Sequence, residues 1–176
     1  IYFMKHLFFG HLLFVSLLLS SFSSFSQEER STDDRPQDSM QVVVPTSEYA
    51  RLDMLVPPPS FEESPSFNGY VSYQTGSGII MTLITNVVYV RLAEGMDDAF
   101  YEKNGLTYIS DAPIVTDAGY KGRMFKLTYT MNETDFVRYM VYISDLENTL
   151  WLNITYPTMM EDLVEDEILK SIQSVN

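Results

Sequence analysis

The side chains that carry most enzyme chemistry are nearly missing from this 176-residue chain. It has no cysteine, and its two histidines, His6 and His11, lie in an apolar N-terminal run. Thiol nucleophiles, thiolate metal sites, disulfides and a lipid-modified N-terminal cysteine are excluded. If the N-terminal run is cleaved, every Ser-His or Cys-His mechanism and every imidazole metal site is excluded with it. What remains is oxygen chemistry: paired carboxylates acting as acid and base, a Ser-Lys arrangement, tyrosine, or a cation such as calcium held by oxygens.

None of these finds its pattern. No serine sits in a Ser-x-x-Lys or Gly-x-Ser-x-Gly setting. Asp111, Asp117 and Asp145 fall at expected strand ends or turns, where Asp caps and turns the chain. A general acid needs an apolar pocket that raises its pKa, with a second carboxylate at a fixed separation. The acidic run Glu161 to Glu167 lies on an expected helix, which spreads carboxylates around a cylinder, whereas calcium loops converge six or more oxygens on one point. Asp97-Asp98 has the same geometry, and no EF-hand pattern is present. Asn132-Glu133-Thr134 and Asn153-Ile154-Thr155 match the glycosylation sequon and read as a turn and a strand pair. No catalytic residue, cofactor or metal site is therefore assigned. A carboxylate-dependent hydrolase or a calcium-binding protein stands as the alternative.

Eleven Lys and Arg against twenty-four Asp and Glu give a formal charge of -13. This argues against non-specific nucleic-acid binding and against docking on anionic lipid, both of which need clustered positive charge. Met4-Lys5-His6 precedes the apolar Leu7 to Leu19 and a serine-rich stretch ending at Ser26. A positive start, a core too short to span a bilayer and small residues before Gln27 are the marks of a secretory signal peptide over 1–26. Residues 27–48, rich in Glu and Asp with Pro36 and Pro45, read as a flexible acidic linker. A single domain is expected over 49–176.

Strand signals dominate that domain. Arg51 to Val56 is a short candidate ended by Pro57-Pro58-Pro59, and Tyr70 to Thr75 and Ile79 to Ile84 flank a turn at Gly76-Ser77-Gly78. Leu92 to Lys103 has helical spacing and is closed by Gly105, and Thr107 to Ile114 follows as a strand. Arg123 to Met131, Asp135 to Ser144 and Thr149 to Tyr156 alternate as an antiparallel meander. Symmetric turns would pair Met131 with Asp135 and Ser144 with Thr149. One face would then carry Phe125, Leu127, Tyr129, Val137, Tyr139, Val141, Ile143, Leu150, Leu152, Ile154 and Tyr156. The terminal helix covers it with a stripe of Met160, Leu163, Val164, Ile168, Leu169, Ile172 and Val175, opened by a Thr158/Glu161 capping box.

The reverse face would be mixed, with Met124, Lys126, Thr128, Phe136, Arg138, Met140, Tyr142, Trp151, Asn153 and Thr155. Aromatics beside cations and an amide combine large contact area with directed polar contacts, so Lys126, Arg138, Tyr142, Trp151 and Asn153 are the candidate binding residues. In a three-layer sandwich the first helix or the Pro57 to Phe67 segment would cover this face, and the exposure of Trp151 decides between surface and core.

An antiparallel sheet, a helix after the first strands and a long C-terminal helix together resemble the PsbP/Mog1-like fold, an α+β architecture of α-β-α layers. The local matches are Phe67-Asn68-Gly69-Tyr70, Gly105-Leu106, Gly119-Tyr120-Lys121-Gly122 and Tyr156-Pro157, within a span of about Arg51 to Val175. The resemblance implies interaction without catalysis, since described members are mostly binding or assembly proteins. Metal sites proposed in photosynthetic members draw partly on histidine, so none is carried over. The expected protein is a non-catalytic binding or accessory module of the bacterial cell envelope, periplasmic or secreted, with another envelope or secreted protein as partner. It binds no nucleic acid and has no membrane span after signal cleavage. A self-associating structural protein is a third reading, and oligomeric state is left open.

Overall fold

The computed structural model describes residue 52 and residues 54–176, within the unit Ala50–Asn176. The expected signal peptide and acidic linker lie outside the described residues. Seven strands form one antiparallel sheet in the order β1-β2-β3-β7-β6-β5-β4. They are β1 (Glu62–Glu63), β2 (Gly69–Ser72), β3 (Ser77–Ile84), β4 (Thr107–Val115), β5 (Lys121–Met131), β6 (Thr134–Ser144) and β7 (Thr149–Pro157). The α-helices among the described residues are α1 (Tyr89–Ala93), α2 (Asp98–Lys103) and α3 (Glu161–Gln173).

The meander is present and its second hairpin has the expected register, Ser144 opposite Thr149. The first hairpin differs by one residue: Met131 pairs with Thr134 and Thr130 with Asp135. The loop is only Asn132-Glu133, and both residues hold positive φ, 49° and 64°. Tight hairpins favour that backbone because its twist matches the strands, but Glu is an unusual occupant. The slip turns β5 over. Phe125, Leu127 and Tyr129 join the mixed face, and Met124, Lys126 and Thr128 move to the face beneath α3.

That face forms the larger core. Val164, Ile168 and Ile172 of α3 pack on Val137, Tyr139, Val141, Ile143, Leu150, Leu152, Ile154 and Tyr156. Each full burial of such a side chain is worth about 1.5–3 kcal/mol. Lys126 adds a polar tie, bonding Glu161 at 2.5 Å and Glu165 at 2.7 Å. Glu161 thus serves Lys126 instead of closing the expected capping box: Thr158–Met160 form a 3-10 turn, and α3 has no side-chain cap.

Other boundaries differ for local reasons. The segment expected as a strand near Leu52 to Val56 follows α3, not the sheet. Leu52 and Leu55, three apart, are both buried, and the carbonyl of Val56 accepts from Ser171 Oγ at 2.6 Å. In the first hairpin Ser72 pairs with Ser77, so the turn spans Tyr73 to Gly76 and lies earlier than expected. The helix expected over Leu92 to Lys103 is two short helices, because Asp97 accepts from the Phe100 amide at 2.8 Å and starts α2 anew. Gly69, in the quoted Phe67-to-Tyr70 motif, has φ +144°, and a Cβ there would lie 1.9 Å from the Ile79 carbonyl oxygen. Only glycine fits so close an approach.

Candidate functional site

The side chains opposite α3 on β6 and β7 define the site. Alternation places Phe136, Arg138, Met140 and Tyr142 on one face of β6, and Trp151, Asn153 and Thr155 on the same face of β7. Tyr142 stands opposite Trp151, Met140 opposite Asn153, and Arg138 opposite Thr155. The structure thus brings Arg138, Tyr142, Trp151 and Asn153 together and puts Lys126 on the opposite face. The misjudged turn displaced Lys126: neither the hairpin loop nor a sheet covered on both sides marks which way β5 faces.

One end of this face is core. Helices α1 and α2 and the turn between them bring Leu92, Met96 and Tyr101 onto Phe125, Leu127, Met140, Tyr142 and Trp151. Helix α1 is anchored by buried hydroxyls: Ser144 Oγ accepts from the Tyr89 amide at 2.6 Å, and Thr149 Oγ1 donates to the Val87 carbonyl at 2.6 Å. Trp151 is 6% exposed. Its ring stacks on Tyr142 with centroids 6.4 Å apart and planes 16° apart. Tyr142 is almost wholly enclosed, and burial pushes its phenol above the ordinary range. The expected test therefore comes out on the side of cover: the first helical segment lies over the tryptophan, and Pro57 to Phe67 does not.

The polar atoms tell a different story. Arg138 is 2% exposed and Asn153 4%. Arg138 Nε and Nη1, both amide atoms of Asn153 and Trp151 Nε1 are buried without a hydrogen-bond partner among the described residues. The Arg138 guanidinium lies 4.4 Å above the centre of the Tyr129 ring, which itself stacks on Phe136 at 5.2 Å. That contact holds the flat face of the cation, while Nε and Nη1, on different edges of the guanidinium, have no hydrogen-bond partner among the described residues. Buried donors and acceptors are almost always satisfied, so three unsatisfied residues side by side demand a reason. Ile80, Thr82, Tyr129 and Thr155 on the same face are half-buried and form an accessible rim. Sequence reasoning found these residues through their types, but their lack of partners is visible only in three dimensions.

A second concavity was not foreseen. A cleft of about 310 Å³ opens between α2 and strands β4 and β5, lined in part by Asp97, Tyr101, Tyr108, Asp111 and Arg123. Two of its charges, Asp111 and Arg123, are engaged with one another. Asp111 accepts from the Tyr108 hydroxyl at 2.7 Å and from Arg123 Nε at 2.7 Å, and these bonds hold its carboxyl below the usual range. A hydrolytic acid needs the opposite shift. Burial and nearby acids push Tyr101 up to about 12, and its hydroxyl donates to the Met96 carbonyl at 2.8 Å. Among the described residues no cluster of three or more His, Asp or Glu is placed to hold a metal. No helix among them is long and apolar enough to cross a membrane.

An antiparallel sheet with α3 on one face and the α1-α2 pair on the other is the PsbP/Mog1-like α+β fold. The solved structure of LpqN, involved in cell envelope biogenesis of Mycobacterium tuberculosis, is similar with a TM-score of 0.53 at 14% identity, over 67% of this chain and 78% of LpqN. PA94 of Pseudomonas aeruginosa, a protein of unknown function, has a TM-score of 0.48 at 12% identity, over 70% of this chain and 81% of its own. CyanoP, the PsbP of Synechocystis sp. PCC 6803, has 0.44 at 8%, over 69% and 79%. At these identities the likeness concerns the fold alone. No protein-family model and no curated protein sequence matches the chain.

Proposed function

We propose that this chain is an exported, non-catalytic binding or accessory module of the cell envelope, and that the half-buried rim of Ile80, Thr82, Tyr129 and Thr155 around Arg138 and Asn153 engages another envelope or secreted protein, with Trp151 as core beneath it. Tyr142 supports Trp151 from below, and Lys126 fastens α3 to the sheet. One observation carries the reading: five polar atoms of three neighbouring side chains are buried and unpaired on one face. A fold that maintains a buried cation without a partner forgoes stability, and such sacrifices collect at functional sites. The N-terminal signal supports export, and the role of LpqN in envelope biogenesis supports the compartment.

The test compares the full chain with its Arg138→Leu variant as bait for the native envelope fraction. A protein retained by the parent and lost by the folded variant supports the reading. Capture indifferent to Arg138, or turnover by the parent on a panel of ester, glycoside and peptide substrates, overturns it.

A further inference from the structure

We infer that the cleft between α2 and strands β4 and β5 binds an organic ammonium group, the head of a lysine side chain or of a free alkylamine. It shares no residue with the rim proposed above and is a second site. Its volume of about 310 Å³ lies at the lower end of the range for ligand pockets, about 300–1,000 Å³, and suits one aliphatic chain with a charged end. The wall carries three carboxylates, Asp97, Asp98 and Asp111, and one cation, Arg123. Asp111 and Arg123 neutralise each other through Nε at 2.7 Å and Nη2 at 2.5 Å. The surplus is therefore the two negative charges of Asp97 and Asp98. Asp97 gives one oxygen to the Phe100 amide, and Asp98 has no ion-pair partner among the described residues.

Aromatic rings supply the rest of the site. Tyr101 and Tyr108 lie with centroids 5.6 Å apart and planes at 32°, and Phe125 adjoins them in the wall. Phe125 already receives one cation, the Arg123 guanidinium carbon lying 5.7 Å from its ring centre. Ring faces attract cations and also bury methylenes, so one wall serves both ends of an alkylammonium. The acids converge on this space. Burial is the largest cause that pushes the Tyr101 phenol up to about 12, and Tyr108, Asp111, Asp97 and Asp98 all add to it. Surroundings that disfavour a phenolate favour a cation. An ammonium, a point charge with three donors, can meet single oxygens of separate carboxylates, whereas a guanidinium fork needs both oxygens of one. Calcium needs about six or more converging oxygens, and among the described residues no cluster of three acids is placed to hold a metal.

The full chain is titrated calorimetrically near neutral pH with n-butylamine, Nα-acetyl-lysine methylamide, n-butanol and calcium chloride. The expected result is saturable binding of an amine that weakens as salt is added, with no saturation by the neutral alcohol. Asp98 and Tyr108 are both exposed, so Asp98→Asn and Tyr108→Leu keep the fold. Each weakens amine binding by about fivefold, the size of one exposed ion pair or cation–π contact. Whichever amine binds more tightly names the source: the lysine derivative a side chain of a partner protein, butylamine a free amine. Equal binding of butylamine and butanol, no saturation with either amine, an affinity unchanged in either variant, or displacement of the amines by calcium overturns the assignment.

Discussion

Replacing Arg138 by leucine should make the ligand-free protein more stable. Removing an arginine from a structure usually costs packing and an ion pair, but here the guanidinium is 2% exposed with Nε and Nη1 unpaired among the described residues. Each unsatisfied buried donor costs about 1–3 kcal/mol. Against this stands the contact with Tyr129 at 4.4 Å, worth roughly 0.5–2 kcal/mol. Leucine keeps the apolar stem's share of the burial. The balance is a gain of about 1–3 kcal/mol, in line with other exchanges of buried charge for apolar volume. In a domain of this size that corresponds to a midpoint higher by about 4–12 °C. Urea unfolding followed by Trp151 fluorescence and far-ultraviolet circular dichroism measures it. A loss of stability, or no change, would refute the reasoning, because the guanidinium would then have a partner in the free protein.

The remaining predictions concern the frame that holds the face. Glu133 has φ 64° in the β5–β6 turn, so Glu133→Gly should raise stability by about 0.5–1 kcal/mol in denaturant unfolding. Ile168, wholly buried under α3, should cost about 2–5 kcal/mol when cut to alanine. Burial works against the Glu165 carboxylate, but bonds from Lys126 and Tyr139 outweigh it and lower its pKa. Its contribution is therefore present above the ordinary carboxylate range and lost as pH falls through the lower folded value. Unfolding between about pH 2 and 7 should show this acid limb in the parent and a shallower one in Glu165→Gln. At the alkaline end, burial and the bond to Glu165 push Tyr139 up to about 12. Its contribution holds below pH about 10 and fades as pH rises through the folded value, so Tyr139→Phe should flatten that limb.

Period-two alternation in β6 and β7 was legible because both strands carry long apolar runs on the α3 side, and the Asp145-to-Asn148 loop closes where symmetry places it. The side chain of Asp145 also accepts from the amides of Glu147 and Asn148, the turn role expected for Asp. The first hairpin was not legible in the same way. A two-residue turn normally announces itself with glycine, and Asn132-Glu133 does not. Alternation could not repair the error, since both faces of β5 are covered: Phe125 and Leu127 suit either core, and Lys126 looks like a surface residue until two α3 carboxylates meet it. The break between α1 and α2 was hidden for a similar reason, because Met96, Tyr101 and Leu92 keep roughly helical spacing across Asp97 and pack in one cluster. For the site, residue types pointed to Arg138, Trp151 and Asn153. Their shared lack of partners depends on what the rest of the domain fails to supply, and no local pattern encodes that.

The most direct test reads the guanidinium of Arg138 itself by NMR, through its Nε–Hε signal in uniformly nitrogen-15-labelled full chain, assigned by comparison with Arg138→Lys. The account predicts a signal without the downfield shift of a bonded pair in the free protein. A signal already shifted downfield, as for a guanidinium paired in the free protein, would contradict it.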